Sequence, residues 1–180
     1  ALQAGSAPSF TESAAAVGIS AVHQPLFSDS FLAGGAVGDF NGDGFQDIFF
    51  PASGTTPHRL YLNDGDGTFT DRAADAGVAL VHRGTAAAVA DYNNDGRLDI
   101  FVTSLGPAGS NVDWNHKLYR NDGNGAGGVP GFSEVAQAAD VSVSTKSGTD
   151  GFVAAGGVYD RGGDRSLAVG GAHAGDNTRV

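Results

Sequence analysis

The apolar residues of this chain come in short bursts. Ile48-Phe-Phe, Leu60-Tyr-Leu, Ile100-Phe-Val and Leu118-Tyr are β-branched or aromatic-rich, and each is bounded by glycine, asparagine or aspartate. That pattern predicts short β-strands rather than helices. Asn63-Asp-Gly and Asn121-Asp-Gly follow two of these bursts. They are turn signals whose glycine can take positive φ, so each should join two antiparallel strands. Ser13–Val17 and Ala73–Ala76 are alanine-rich but too short to stand as independent helices, and they are expected to form at most one helical turn each.

The bursts recur. Phe10-Thr-Glu-Ser-Ala, Phe69-Thr-Asp-Arg-Ala and Phe132-Ser-Glu-Val-Ala lie about 60 residues apart. Arg59-Leu-Tyr-Leu-Asn-Asp-Gly returns as Lys117-Leu-Tyr-Arg-Asn-Asp-Gly. Asp39-Phe-Asn-Gly-Asp-Gly-Phe-Gln-Asp47 returns as Asp91-Tyr-Asn-Asn-Asp-Gly-Arg-Leu-Asp99, with a degraded third copy from Asp160. A fixed period of this length means a repeat architecture, with units at about 10–68, 69–131 and 132–180, the last incomplete. About four strands per unit predicts an all-β fold of β-propeller blades, an incomplete propeller or a fragment of one, with a stacked β-solenoid as the alternative.

Composition sharpens this picture. The chain has 180 residues, 41% of them hydrophobic, which is enough for one packed domain. It has 29 glycines, which suit many tight turns. All of its 20 acidic residues except Glu12 and Glu134 are aspartate, the acid that favours loops. A net charge of −10 argues against nucleic acid and anionic membrane surfaces as partners and in favour of cations. No apolar run is long enough for a membrane-spanning helix, and no cysteine is present to form disulfides or thiolate metal sites.

The two intact aspartate loops are candidate metal sites. Oxygen-bearing side chains fall at positions 1, 3, 5 and 9: Asp39, Asn41, Asp43 and Asp47, then Asp91, Asn93, Asp95 and Asp99. Position 7, Phe45 or Arg97, is expected to contribute its backbone carbonyl, and Gly44 and Gly96 permit the turn. Calcium takes 6–8 oxygen ligands of these kinds. Three carboxylates per loop favour it over magnesium, and the absence of His and Cys argues against zinc. Position 12 is Phe50 or Val102 where an EF-hand needs glutamate, so these are strand-turn-strand loops. Asp-Asn-Asp-Gly also serves plain hairpins without metal, and the second in-register copy weighs against that alternative. The expectation is two Ca²⁺ per chain and none in the third copy, where Gly162, Arg165 and Ala168 replace the required residues.

These motifs resemble the FG-GAP/VCBS repeat family of integrin-α-like propeller blades. The Leu-Tyr-x-Asn-Asp-Gly turn and the Phe69-Thr-Asp-Arg-Ala-Ala-Asp-Ala-Gly-Val stretch are similar to the subgroup of cartilage acidic protein and UnbV-like proteins. The resemblance implies a calcium-bearing, secreted or cell-surface module for adhesion or for binding a protein or carbohydrate ligand. It implies no catalysis. Family propellers close with more blades than this chain holds, so its open edges are expected to allow self-association. The alternatives are a fragment of a secreted polysaccharide-degrading enzyme and a self-assembling cell-surface protein.

Other residues point less sharply to chemistry. His23 and His82 share a repeat position, as do His58 and His116, and recurrence suggests packing. No Gly-x-Ser-x-Gly or His-Glu-x-x-His motif is present, so no catalytic residue is assigned. Asp64 and Asp66 could form a paired-carboxylate site, but the matching turn has Asp122 and Asn124, which favours turn chemistry. Trp114 lies in a loop absent from the first repeat and is a candidate stacking platform for a sugar, with ordinary packing as the alternative.

Overall fold

A computed structural model describes residues 9–21, 34–51, 53–104, 116–139, 141, 156–161 and 164–169. The fold is all-β, as expected. Its strands are β1 (Ala36–Gly38), β2 (Asp47–Phe50), β3 (Ser53–Pro57), β4 (Arg59–Asn63), β5 (Phe69–Asp71), β6 (Val81–Ala90), β7 (Asp99–Ser104), β8 (Lys117–Asn124), β9 (Pro130–Glu134), β10 (Gly156–Arg161) and β11 (Asp164–Val169). All pairings are antiparallel. The sheets do not close on one another into a barrel, and their order is that of propeller blades.

The first sheet runs β1-β2-β4-β5 and the second β3-β6-β7-β8-β9, while β10 and β11 pair separately. Four strands per repeat therefore holds for the first sheet. The second gains a fifth, because β3 leaves its own repeat and pairs with the start of β6, with Pro57 opposite Val81. A strand ending on proline, which has no N–H, is tolerated at a sheet edge. The sheets are also offset from the sequence periods: Phe69–Asp71 is the outer strand of the first sheet, and Phe132 lies in the outer strand of the second. Asn63-Asp-Gly joins β4 to β5 as expected. Asn121-Asp-Gly instead lies inside β8, where Asn121 and Gly123 pair with Phe132 and Gly131 across a register shift. The strand continues through Asn124, and the chain turns at 125–129. Ala14–Val17 forms a single 3₁₀ turn, closed by Gly18 at φ 90°.

The period of two along each strand builds the core. Phe49, Leu60 and Leu62 of the first sheet meet Ile100, Val102 and Tyr119 of the second, with Phe40, Ala73, Ala76 and Val78 sealing the cluster. The residues between them face outward: Phe101 and Leu118 pack with Ala136 on the far side of the second sheet. Burying each large side chain stabilises the fold by about 1.5–3 kcal/mol. The two sheets are thus fixed face to face, which sets their metal-loop candidates side by side.

Candidate metal sites

The two aspartate loops occupy equivalent places. Residues 39–46 connect β1 to β2, and residues 91–98 connect β6 to β7; the pairs Gly38↔Asp47 and Ala90↔Asp99 close the two hairpins. Within each loop, the side chains fold onto the loop's own backbone amides. The first carboxylate accepts most of these bonds: Asp39 from the N–H groups of Gly42 (2.7 Å), Asp43 (3.1 Å) and Gly44 (2.9 Å), and Asp91 from those of Asp95 (3.1 Å) and Gly96 (2.8 Å). Asn41 and Asn93 then accept from the N–H at position 5, and Asp43 and Asp95 from the N–H at position 7. Gly44 and Gly96 have φ of 91° and 86°, a left-handed backbone in which a side chain is strained. Asn94, in the second loop, has φ 60°.

The ninth position differs from the rest. Asp47 and Asp99 are buried, at 0% and 1% exposure. Asp47 accepts from the N–H of Phe40 (2.9 Å) and of Asn63 (2.9 Å); Asp99 accepts from the N–H of Tyr92 (3.0 Å) and of Asn121 (2.7 Å). Burial raises both carboxyls above the usual carboxylate range, against the pull of these backbone bonds, and the neighbouring carboxylates of Asp43 and Asp39, or of Asp95 and Asp91, push the same way. Each loop therefore gathers two further carboxylates near one buried carboxylate, a field that a cation would relieve.

The donor set suits a hard divalent cation, being oxygen only. The carboxylates are turned toward backbone N–H groups, however. Among the described residues no three His, Asp or Glu side chains are drawn into a closed cage. Each ionised carboxylate has more acceptor positions than these N–H groups use.

Position 7 separates the loops. The Phe45 ring lies against Gly65, where an added Cβ would stand 2.9 Å from it, and the φ of 79° at that turn favours glycine. Arg97 reaches over the matching Asn-Asp-Gly stretch of β8, donating from Nε to the Asn121 carbonyl (2.8 Å) and pairing with Asp95 (2.5 Å). Burial acts to raise the Asp95 carboxyl. Bonds from Asn93 and the Arg97 N–H, with the guanidiniums of Arg97 and Arg120, outweigh it and hold Asp95 below the usual range. No guanidinium lies in the first loop, where position 7 is phenylalanine.

The other sequence candidates separate clearly. Asp64 and Asp66 accept from Thr68 and Thr70, so their oxygens serve the turn. His58 is buried between Phe49, His82 and Tyr119, at ring distances of 5.4, 5.6 and 5.9 Å. His116 accepts through Nδ1 from the Ser104 N–H. Trp114, His23 and His173 lie outside the described residues, as do residues 162–163 of the third copy. Two site residues that sequence reasoning treated only as turn formers are Asn63 and Asn121, which hold the ninth carboxylates. Their recurrence in the same Leu-Tyr-x-Asn-Asp-Gly motif after Asp47 and after Asp99 was the available signal.

The repeats have known counterparts. The model of the FG-GAP-like repeat family matches residues 39–102, a stretch that begins at the first loop and ends in β7. This stretch of the chain is similar to that repeat. The chain is also similar to cartilage acidic protein 1 of Homo sapiens (39% identity over 89 residues) and of Mus musculus (38% over 89). It matches that of Xenopus tropicalis at 43% over 66 residues. These alignments cover 48%, 48% and 36% of this chain but only 12%, 12% and 10% of the relatives. The aligned part of this chain thus corresponds to only a small part of these relatives' length. Among the described residues no helix is long and apolar enough to cross a membrane.

Proposed function

We propose that this chain is a non-catalytic, calcium-binding repeat module that acts outside the cell as a recognition surface for a protein or carbohydrate ligand. The observation that carries the reading is the duplicated loop, in which two carboxylates and one asparagine accompany a buried ninth aspartate. In the first loop Asp39, Asn41, Asp43 and Asp47 would hold the ion by side chain and Phe45 by its carbonyl. In the second, Asp91, Asn93, Asp95, Asp99 and the Arg97 carbonyl would do so. Bound calcium would neutralise the clustered charge and stiffen the blade ends, which pre-organises whatever surface they carry.

The extracellular reading rests on the similarity to cartilage acidic protein 1. With dissociation constants of ~10⁻⁴ M and calcium at ~1 mM, each ion would stabilise the fold by about 1.4 kcal/mol. Thermal unfolding with calcium and with chelator tests this. Calcium should raise the melting temperature of the wild type, and Asp43→Ala and Asp95→Ala should each remove part of the rise. An identical melting temperature in calcium and in chelator refutes it.

A further inference from the structure

The two loops are physically joined, and the joint is a single buried asparagine. Asn121 belongs to the second repeat and is 0% exposed. Its N–H donates to Asp99 (2.7 Å), its carbonyl accepts from Arg97 Nε (2.8 Å), and its side-chain amide donates to the Leu98 carbonyl (3.3 Å). It thus touches positions 7, 8 and 9 of the second loop. The same amide nitrogen also donates across the repeat boundary to the carbonyl of Phe40 (2.8 Å), position 2 of the first loop. The Phe40 N–H in turn donates to Asp47 (2.9 Å). A continuous chain therefore runs from one buried ninth carboxylate to the other: Asp47, Phe40, Asn121, Asp99. Three residues further on, Asn124 adds a second tie, donating to the carbonyl of Asn41 (2.6 Å), position 3 of the first loop.

The first repeat supplies an internal comparison. Asn63 stands where Asn121 does and makes the same contacts within its own repeat, to Asp47 (2.9 Å) and to the Gln46 carbonyl (3.2 Å). What Asn121 adds is the bond from Arg97 Nε and the bond to the neighbouring loop.

We propose that calcium binding at the two loops is coupled, with Asn121 as the positioning residue, so that filling either loop raises the affinity of the other. This rests on the calcium reading above. Binding would draw the loop carboxylates into one arrangement; a loop already held in place through Asn121 would need less ordering, and the second ion would bind more tightly. Coupling of this origin is reciprocal. The side-chain bond between the repeats sets its size at about 2- to 12-fold in affinity.

The test is calorimetric calcium titration of the full chain in a double-mutant cycle. Asp95→Ala disables the second loop, and the affinity of the first is read with and without that change. The first loop should bind about 2- to 12-fold more weakly when the second is disabled. In an Asn121→Ala background the difference should vanish. Asn124 is exposed, so Asn124→Ala keeps the fold and should shrink the coupling by itself. Two ions bound with a first-loop affinity indifferent to Asp95→Ala overturns the coupling and leaves the calcium reading standing. No uptake by the wild type overturns both.

Discussion

Acidification should unfold this protein through His58, and the size of the effect follows from its surroundings. The imidazole is 0% exposed, packed among Phe49, His82 and Tyr119. Burial, with the nearby charges of His82 and Lys117, lowers its pKa to about 3. The unfolded chain binds that proton near pH 6.5, so the unfolded state carries more protons in between. The stability contributed by neutral His58 is therefore complete above pH 6.5 and is lost as pH falls toward 3. At pH 5 the loss is about 2 kcal/mol. His116, also lowered by burial, acts in the same direction. Asp47 and Asp99 act in the opposite one: their raised carboxyls contribute stability below the unfolded carboxylate pKa that is lost as pH rises through their folded values. The wild-type profile is thus a sum, and the informative quantity is its difference from His58→Phe, which keeps a flat ring among aromatic neighbours. Urea unfolding followed by circular dichroism in chelator, at pH 8 and pH 5, measures it. The wild type should lose about 2 kcal/mol more than the variant over that interval. Parallel losses in the two proteins refute the assignment.

Three further substitutions probe the packing and the loops. Phe49→Ala empties the centre of the cluster between the sheets and should cost about 3–5 kcal/mol in urea unfolding, with no change expected in the donors of either loop. Gly44→Ala meets no neighbour within 4 Å but forces a side chain onto φ 91°, so it should cost about 1–2 kcal/mol in chelator and weaken calcium uptake at the first loop. Arg97→Gln removes the guanidinium paired with Asp95, and calorimetry should find the second loop binding calcium about 1.5- to 5-fold more tightly.

What sequence made legible was local. Strands such as Ile100-Phe-Val and the turn at Gly65 are set by residues within a few positions, and repetition of the motifs exposed the blade pattern. The second Asn-Asp-Gly misled, because the chain there continues as strand through Asn124 before it turns. The aspartate spacing likewise placed Asp39 to Asp47 and Asp91 to Asp99 on equivalent hairpin ends. Non-local pairing was not legible. Nothing in Ser53–Pro57 marks it for the neighbouring sheet, since its partner strand is distant in sequence and edge pairing places few demands on side chains. Asn121 reads as an ordinary turn former because its bond to Phe40 spans 81 residues, and the contact exists only once two blades are packed. The Phe45 ring over Gly65 is hidden for the same reason: turn preference alone already explains the glycine.

Calorimetric calcium titration of the metal-stripped wild type, with Asp43→Ala and Asp95→Ala beside it, tests the central claim most directly. Two ions per chain, with one lost in each variant, is the expected result. No uptake, or uptake untouched by either substitution, would mean that the aspartate loops are hairpin turns and nothing more.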